Sequence, residues 1–173
     1  MMKSIVLIGM PGCGKSTIGE MIAEKIAMTF IDVDVYIRES TKRTIIELFE
    51  NGEDAFRDIE AKATEELSEK NPAVIATGGG VIKRYENIIN LKKTGIIIYI
   101  NRPIENIVAD IDVVARPLLA KDPSQLYKLL EERCDLYRKY CDHEVMNTGS
   151  IDDIVNNIIE IHTRIKNDIL KEE

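Results

Sequence analysis

The feature that most limits how this chain can fold is the glycine-rich segment at residues 9–16, Gly-Met-Pro-Gly-Cys-Gly-Lys-Ser. It matches the phosphate-loop pattern G-x-x-x-x-G-K-[ST], and it follows an apolar run at residues 5–8 that predicts a buried strand. Glycines let backbone N–H groups turn towards an anion at the start of a helix. In this pattern Lys15 reaches the β- and γ-phosphates, and the Ser16 hydroxyl can hold Mg²⁺. An ordinary glycine turn is the alternative, which the flanking strand and helix patterns disfavour.

Length and composition indicate a compact enzyme. The chain has 173 residues, of which 45% are hydrophobic and 31% charged, so we expect one globular domain. A net charge of −7 disfavours non-specific binding to nucleic acid. The apolar stretches are too short to span a bilayer, and the first residues do not resemble a secretion signal. Three cysteines without a CxxC pair indicate reduced thiols. We therefore expect a cytoplasmic monomer without a nucleic-acid or membrane partner.

Short apolar runs alternate with helical periodicity along the chain. The runs at 5–8, 73–76 and 96–100 predict buried strands, with weaker candidates at 30–31 and 143–147. This alternation predicts an α/β fold, with a parallel sheet and helices on both of its faces. Residues 110–123 interrupt the pattern and predict a loop of the length of a lid.

Two aspartates, Asp32 and Asp34, follow the second predicted strand. Open α/β sheets bind ligands beyond the carboxyl ends of their strands. One carboxylate there can hold water around Mg²⁺, and the other can accept a hydrogen bond from a substrate hydroxyl. The alternative is that Asp34 caps a helix that begins near Val35, while Asp32 has no specific role.

Further candidate residues lie in three other segments. Arg57 falls in the first turn of a predicted helix, where the alternative is an ion pair with Glu53 or Glu60. Three glycines at 78–80 follow the strand predicted at 73–76 and allow the backbone to lie against a ligand, or else form a flexible turn. Arg116, in the predicted lid, can neutralise charge on a transferring phosphoryl group.

Taken in order, these motifs closely resemble those of the shikimate kinase family, from Ile5 to about Asn147. The resemblance rests on GMPGCGKST at 9–17, FIDVD at 30–34, GEDAFRDIE at 52–60, ATGGG at 76–80, RPLL at 116–119 and ERCDLY at 132–137. It implies ATP-dependent phosphorylation of the 3-hydroxyl of shikimate, which gives shikimate 3-phosphate and ADP on the route to chorismate and the aromatic amino acids.

The resemblance also implies an architecture. The expected fold is that of a P-loop NTPase of the nucleoside-monophosphate-kinase type, with a five-stranded parallel sheet flanked by helices. A single kinase domain at 1–173 would consist of a core at 1–32, 61–109 and 123–173, a shikimate-binding segment at 33–60 and a lid at 110–122.

Roles for individual residues follow from the same resemblance. The residues expected to bind ATP are Gly12, Cys13, Gly14, Lys15, Ser16, Thr17 and Arg116. Those expected to bind shikimate are Asp34, Arg57, Gly78, Gly79, Gly80 and Arg133. Mg²⁺ would be held by Ser16 and Asp32. Catalysis would depend on Lys15, Asp34 and Arg116. By residue type alone, Arg133 could instead pair with acids on its own helix.

One departure from the family pattern concerns the lid, where many members carry an early basic residue and residues 109–115 here have none. The lid would then close less tightly or use another cation. The alternatives for function are another small-molecule P-loop kinase, such as a gluconate kinase, or a catalytically silent relative that binds shikimate. A GTP-binding switch would need an N-K-x-D motif, which the sequence lacks.

Overall fold

The computed structural model describes residues 2–70, 72–110 and 124–172. Five parallel strands form one sheet in the order β2-β3-β1-β4-β5. The strands are β1 (Ser4–Ile8), β2 (Thr29–Asp32), β3 (Ala73–Ala76), β4 (Gly95–Asn101) and β5 (His143–Met146). The three central strands are buried along almost their whole length, as expected for a parallel sheet that is covered on both faces. The predicted α/β fold and its five strands are confirmed.

Helices connect and cover these strands. They are α1 (Lys15–Ile26), α2 (Val33–Thr41), α3 (Ile45–Phe49), α4 (Glu53–Ser68), α5 (Tyr85–Thr94), α6 (Ile104–Ala109), α7 (Ser124–Tyr140) and α8 (Ile151–Glu172), with a short 3₁₀ turn at Val81–Lys83. The segment predicted to bind shikimate, residues 33–60, comprises α2, α3 and the first half of α4. None of the helices in the described ranges is long and apolar enough to cross a membrane.

The order of the strands gathers the sequence motifs at one edge of the sheet. Strand β1 lies between β3 and β4, with Leu7 opposite Ala76 and Ile8 opposite Tyr99. Thr77 continues this pairing, since its N–H and its hydroxyl both donate to the Leu7 carbonyl, at 3.1 Å and 2.9 Å. The phosphate loop after β1 therefore lies between the glycine segment (residues 78–80) after β3 and the chain after β4. This edge, at the carboxyl ends of the strands, is where such sheets usually bind ligands.

One alternative considered for the aspartates is wrong. Helix α2 begins at Val33 rather than near Val35, and its N-cap is Asp32, whose side chain accepts hydrogen bonds from the N–H groups of Asp34 and Val35. Asp34 lies inside the first turn, where a carboxylate is favoured by the helix dipole. The predicted lid falls, apart from Asp110, outside the described residues, and so does Arg116.

Candidate active site

The phosphate loop adopts a backbone conformation that requires glycine at specific positions. Gly9 and Gly14 have φ of +147° and +100°, which L-residues rarely adopt. A Cβ at Gly9 would lie 2.6 Å from the Ile100 carbonyl oxygen and 2.8 Å from the Cys13 sulfur. The loop therefore fits against β4 only with glycine at this position.

Lys15, the first residue of α1, directs its ammonium group back along the phosphate loop. Its Nζ donates to the carbonyl oxygens of Gly9 and Met10, both at 2.9 Å, and lies 3.6 Å from the Cys13 sulfur. The Lys15 side chain is buried, and the Cys13 side chain is fully buried. The backbone N–H of Cys13 donates to the Met10 carbonyl at 3.2 Å, so it would have to exchange that acceptor in order to bind a phosphate.

The next residue of the loop motif is joined to the second strand. The Ser16 hydroxyl donates to Asp32 Oδ2 at 2.8 Å, while Asp32 Oδ1 accepts the two capping hydrogen bonds of α2. One carboxylate thus fixes the start of a helix and holds the hydroxyl of the phosphate loop. A hydroxyl and a carboxylate side by side form an oxygen donor set that suits Mg²⁺.

A cleft of about 470 Å³ runs from the phosphate loop to the glycine segment. It brings together most of the residues singled out from the sequence. Its lining residues are Pro11, Gly12, Gly14, Lys15, Ser16, Thr17, Asp32, Asp34, Thr77, Gly78, Gly79, Ile107 and Asp110. Nine of the predicted site residues therefore line one cavity. Of the other predicted residues that are described, Gly80 continues the glycine segment, and Arg57 and Arg133 contact that segment from α4 and α7.

Arg57 is buried rather than spread over a helix surface. It makes both ion pairs considered from the sequence, with Glu60 at 2.7 Å and with Glu53 at 3.1 Å. Its guanidinium also lies over the Phe56 ring, 5.2 Å from the centroid. A Cβ at Gly80 would lie 2.2 Å from Arg57 Nη2. The guanidinium is thus pressed against the glycine segment, and the third glycine makes room for it.

Glu60 is a site residue that sequence reasoning treated only as a partner of Arg57. It is 1% exposed, and its Oε1 has no hydrogen-bond partner among the described residues, while Oε2 accepts from Arg57. Burial raises the pKa of the Glu60 carboxyl, and the Arg57 charge opposes that shift. A Cβ at Gly78 would lie 3.1 Å from Asp34 Oδ1 and 3.3 Å from Glu60 Oε1. Asp34 and Glu60 therefore both face the first glycine.

Arg133 reaches the same glycine segment from α7. Its Nη1 donates to the Gly79 carbonyl at 3.1 Å, and its buried Nε has no partner among the described residues. The Tyr137 hydroxyl donates to the same carbonyl at 2.5 Å, and burial raises the pKa of that phenol. Tyr137 was not predicted, although its spacing of four residues from Arg133 places it on the same helix face.

Two further residues that the sequence did not reveal support the phosphate loop from outside. The Asn147 side-chain amide donates to the Cys13 carbonyl at 2.9 Å, and Arg102 Nη1 donates to the Gly12 carbonyl at 3.3 Å. Both follow strands, β5 and β4, that end at the same edge of the sheet. They could be found only once the strand order was known.

Comparison with known proteins identifies relatives along most of the chain. The family model described as shikimate kinase matches residues 11–163. A shikimate kinase of Clostridium botulinum (strain Alaska E43) is 50% identical over 161 residues, which cover 93% of this chain and 98% of the relative. One from Thermodesulfovibrio yellowstonii is 39% identical, with coverage of 96% and 98%.

Solved structures give a consistent picture. The shikimate kinase from Acinetobacter baumannii in complex with shikimate has a TM-score of 0.87 and 34% identity, with coverage of 96% of each chain. A gluconokinase from Sinorhizobium meliloti has a TM-score of 0.66 at 18% identity, covering 99% of this chain and 97% of that one. At that identity the second likeness shows a shared fold and nothing about the substrate.

Proposed function

This chain belongs to the shikimate kinase family, and from that premise we propose how its residues transfer the γ-phosphoryl group of ATP to the 3-hydroxyl of shikimate. The fold is that of a P-loop kinase of the nucleoside-monophosphate-kinase type. The observation that carries the proposal is the convergence of Asp34, Arg57 and Arg133 on residues 78–80, which share the cleft with the phosphate loop.

On the nucleotide side, the backbone N–H groups of residues 12–17 would surround the phosphates at the N-terminus of α1. Lys15 would exchange its two carbonyl acceptors for phosphate oxygens, since an ammonium binds an anionic oxygen more strongly than a neutral carbonyl. Cys13 would contribute backbone only, because its side chain is buried. Arg116, which lies outside the described residues, would bind the nucleotide phosphates, as its place in the RPLL motif suggests.

The oxygen pair of Ser16 and Asp32 is suited to hold Mg²⁺ directly or through water. No cluster of three or more His, Cys, Asp or Glu side chains that could hold a metal occurs within the described ranges. Water and nucleotide phosphate would therefore supply the other ligands, as is usual for this ion. When bound, Mg²⁺ neutralises charge on the phosphates and aligns them.

On the acceptor side, two guanidinium groups would grip the carboxylate of shikimate. Arg57 and Arg133 approach the glycine segment from two different helices, α4 and α7. Each guanidinium has a planar fork of donors that fits the two oxygens of a carboxylate. The glycines at 78–80 leave room for the side chains of Asp34, Pro11 and Arg57 against their backbone. The backbone of the segment would then line the ring of the substrate beside these groups. We infer that this end of the cleft selects a small hydroxylated acid.

Asp34 would hold the reacting hydroxyl. In the transfer, the bond between the hydroxyl oxygen and phosphorus forms, and the bond from the γ-phosphorus to the bridging oxygen of ADP breaks. The hydroxyl proton passes to the Asp34 carboxylate and from there to solvent. Phosphoryl transfer depends mainly on alignment and charge neutralisation, and the presence of Asp34 and Lys15 in one cleft supports this assignment.

We further propose that the enzyme works in the cytoplasm as a monomer. The three cysteines form no disulfide in the structure, which agrees with a reducing compartment.

The direct test is ATP-dependent turnover with shikimate against a panel of hydroxylated acids that includes gluconate. We expect Mg²⁺-dependent release of ADP with shikimate and a product heavier by one phosphoryl group. Faster turnover of gluconate would favour the other kinase class. Binding of shikimate without turnover would instead indicate a catalytically silent relative.

Arg57→Ala is expected to weaken use of shikimate and to destabilise the fold. The Michaelis constant for shikimate should rise on the order of 100-fold, because a charge-assisted clamp is lost. The free energy of unfolding should fall by about 3 kcal/mol at neutral pH, because Glu60 becomes a buried carboxylate without its counter-charge. Steady-state kinetics and denaturant unfolding measure the two effects.

The loss of stability in Arg57→Ala should depend on pH. A raised pKa means that folded Glu60 binds a proton more readily than the unfolded chain does, and removing Arg57 raises it further. The free energy of unfolding of Arg57→Ala should therefore fall as pH rises above the ordinary carboxyl pKa. Its difference from the unmodified protein should become smaller again as pH falls towards that value. The double variant Arg57→Ala/Glu60→Gln should recover stability at neutral pH without recovering shikimate affinity. An equal loss of unfolding free energy in Arg57→Ala at low and at neutral pH would contradict this account.

Arg116→Ala tests a residue that the structure does not describe. If Arg116 stabilises the transferring phosphoryl group, kcat should fall by up to roughly 10³-fold with little change in binding of shikimate. Rapid-quench turnover measures the rate, and Arg138→Ala, which removes an arginine from an exposed ion pair with Glu144, is the control. A normal kcat in Arg116→Ala would refute the role.

A further inference from the structure

Arg102 occupies a position that the proposed reaction does not use. It follows directly on β4, and β4 pairs with β1 alongside the phosphate loop. Its Nη1 donates to the Gly12 carbonyl at 3.3 Å, and its Nη2 forms an ion pair with the carboxylate of Asp110. Gly12 and Asp110 both line the nucleotide end of the cleft. The guanidinium therefore links two lining residues of the cavity in which phosphates would bind, although Arg102 itself is not among the lining residues.

The charges around the cleft explain why a further cation is needed at this position. Among the described lining residues, the carboxylates of Asp32, Asp34 and Asp110 face a single cation, Lys15. A bound triphosphate adds several negative charges to these. The sequence offers no lysine or arginine between residues 103 and 115. Arg102 is the cation that the fold brings to this wall from the sheet rather than from the lid.

We infer that Arg102 is a phosphate-binding residue of the nucleotide site, and that Asp110 holds its guanidinium in place until a nucleotide competes for it. The inference rests on the proposed function only in that the cleft binds ATP. It concerns which cation neutralises the phosphates, and it does not depend on the identity of the acceptor.

The chemistry of the guanidinium permits this exchange. Arginine has five N–H donors in a fixed fork, of which the two contacts described engage only part. A phosphate oxygen accepts from such a fork as well as a carboxylate does, and the triphosphate carries more charge. The Arg102 side chain is 21% exposed and that of Asp110 is 63% exposed. The partner to be displaced is therefore the more solvated one, which loses least when it is released.

A purely supporting role is the competing explanation. Arg102 could serve only to hold the Gly12 carbonyl, as Asn147 holds that of Cys13. The two residues form a matched pair, because both donate to the phosphate loop from outside and only one is charged. Replacing each in turn separates support of the loop from neutralisation of the phosphates.

The experiment measures equilibrium binding of MgADP and of inorganic tripolyphosphate by calorimetry, without shikimate. The variants are Arg102→Gln, Arg102→Lys and Asn147→Ala, with Arg138→Gln as the control for net charge. Each is measured at about 50 mM and about 500 mM NaCl, between which exposed charges become screened. Thermal unfolding of each variant establishes that it is folded.

We expect Arg102→Gln to weaken both ligands on the order of tenfold at low salt. The deficit should narrow at high salt, and Arg102→Lys should recover part of it. Asn147→Ala should have a smaller effect that salt does not change. Binding by Arg102→Gln within twofold of the unmodified protein, or a deficit equal to that of Asn147→Ala at both salt concentrations, would overturn the inference. Turnover of shikimate is measured separately, so that failure of the proposed function remains distinguishable from this result.

Discussion

Lys15→Ala is expected to lower kcat by on the order of 10³- to 10⁴-fold, because it removes the cation placed at the start of α1 where the β- and γ-phosphates would bind. Lys15 donates to the carbonyls of Gly9 and Met10 and lies near the Cys13 sulfur, so its ammonium is already inside the loop. Negative charge that develops on the bridging and γ-phosphoryl oxygens during transfer would then lack its nearest counter-charge. Single-turnover kinetics at saturating MgATP and shikimate measure the loss.

The control for this variant is Lys25→Ala, on the same helix. Lys25 is 40% exposed and pairs with Asp152 on the surface, so its loss should leave kcat within twofold. Lys15→Met serves as a second test of the loop, because it keeps the apolar stem without the charge. A Lys15→Met enzyme that retains more than about a tenth of kcat would show that the charge is dispensable, contrary to the expected electrostatic role.

The motifs that could be found from sequence are those in which residues close together in the chain make the site. The phosphate loop at 9–16 and the glycines at 78–80 each combine a strand end with a loop, so pattern and spacing suffice to locate them. Their meeting at one edge also follows from sequence, since successive parallel strands end on the same side. The structure confirms this in the single cleft that contains both.

What could not be found depends on contacts between elements far apart in sequence. The three residues that illustrate this are Glu60, Arg102 and Asn147. A glutamate three residues after Arg57 looks like a routine surface pair, and only the packing of α4 against its neighbours makes it buried. Arg102 and Asn147 come next to the phosphate loop because β4 and β5 follow β1 across the sheet, an order that periodicity does not encode.

The alternatives for Asp32 and Arg57 show why competing interpretations of a residue need not exclude each other. Asp32 is the helix cap, a role that the alternative interpretation of the sequence gave to Asp34, and it also holds the Ser16 hydroxyl. Arg57 makes its ion pairs on α4 and still presses against Gly80. A buried arginine that has acidic neighbours is held in one orientation, which would prepare it for the proposed binding of a substrate carboxylate.

Asp34→Asn is expected to lower kcat on the order of 10⁴-fold, the upper end of what a positioned proton acceptor contributes. An amide of the same shape keeps an oxygen that accepts the substrate hydroxyl, but it cannot take up the proton. Binding of shikimate, measured by calorimetry, should therefore change little, because in the proposed site Arg57 and Arg133 would hold the other end of the molecule. The effect should lie in kcat rather than in the Michaelis constant for shikimate.

Asp152→Asn provides the matched control for that substitution. Asp152 also lies in the first turn of a helix, α8, and its side chain is 66% exposed. The two variants thus lose the same favourable term with the helix dipole, so a difference between them reports the chemistry at the cleft rather than helix stability. Should Asp34→Asn keep more than about a tenth of kcat, the carboxylate would be a positioning group only, and the hydroxyl proton would leave directly to phosphate or solvent, as a loose transition state permits. If Asp34→Asn and Asp34→Ala lower kcat by the same, expected factor, the contribution of Asp34 comes from the charge and basicity of its carboxylate.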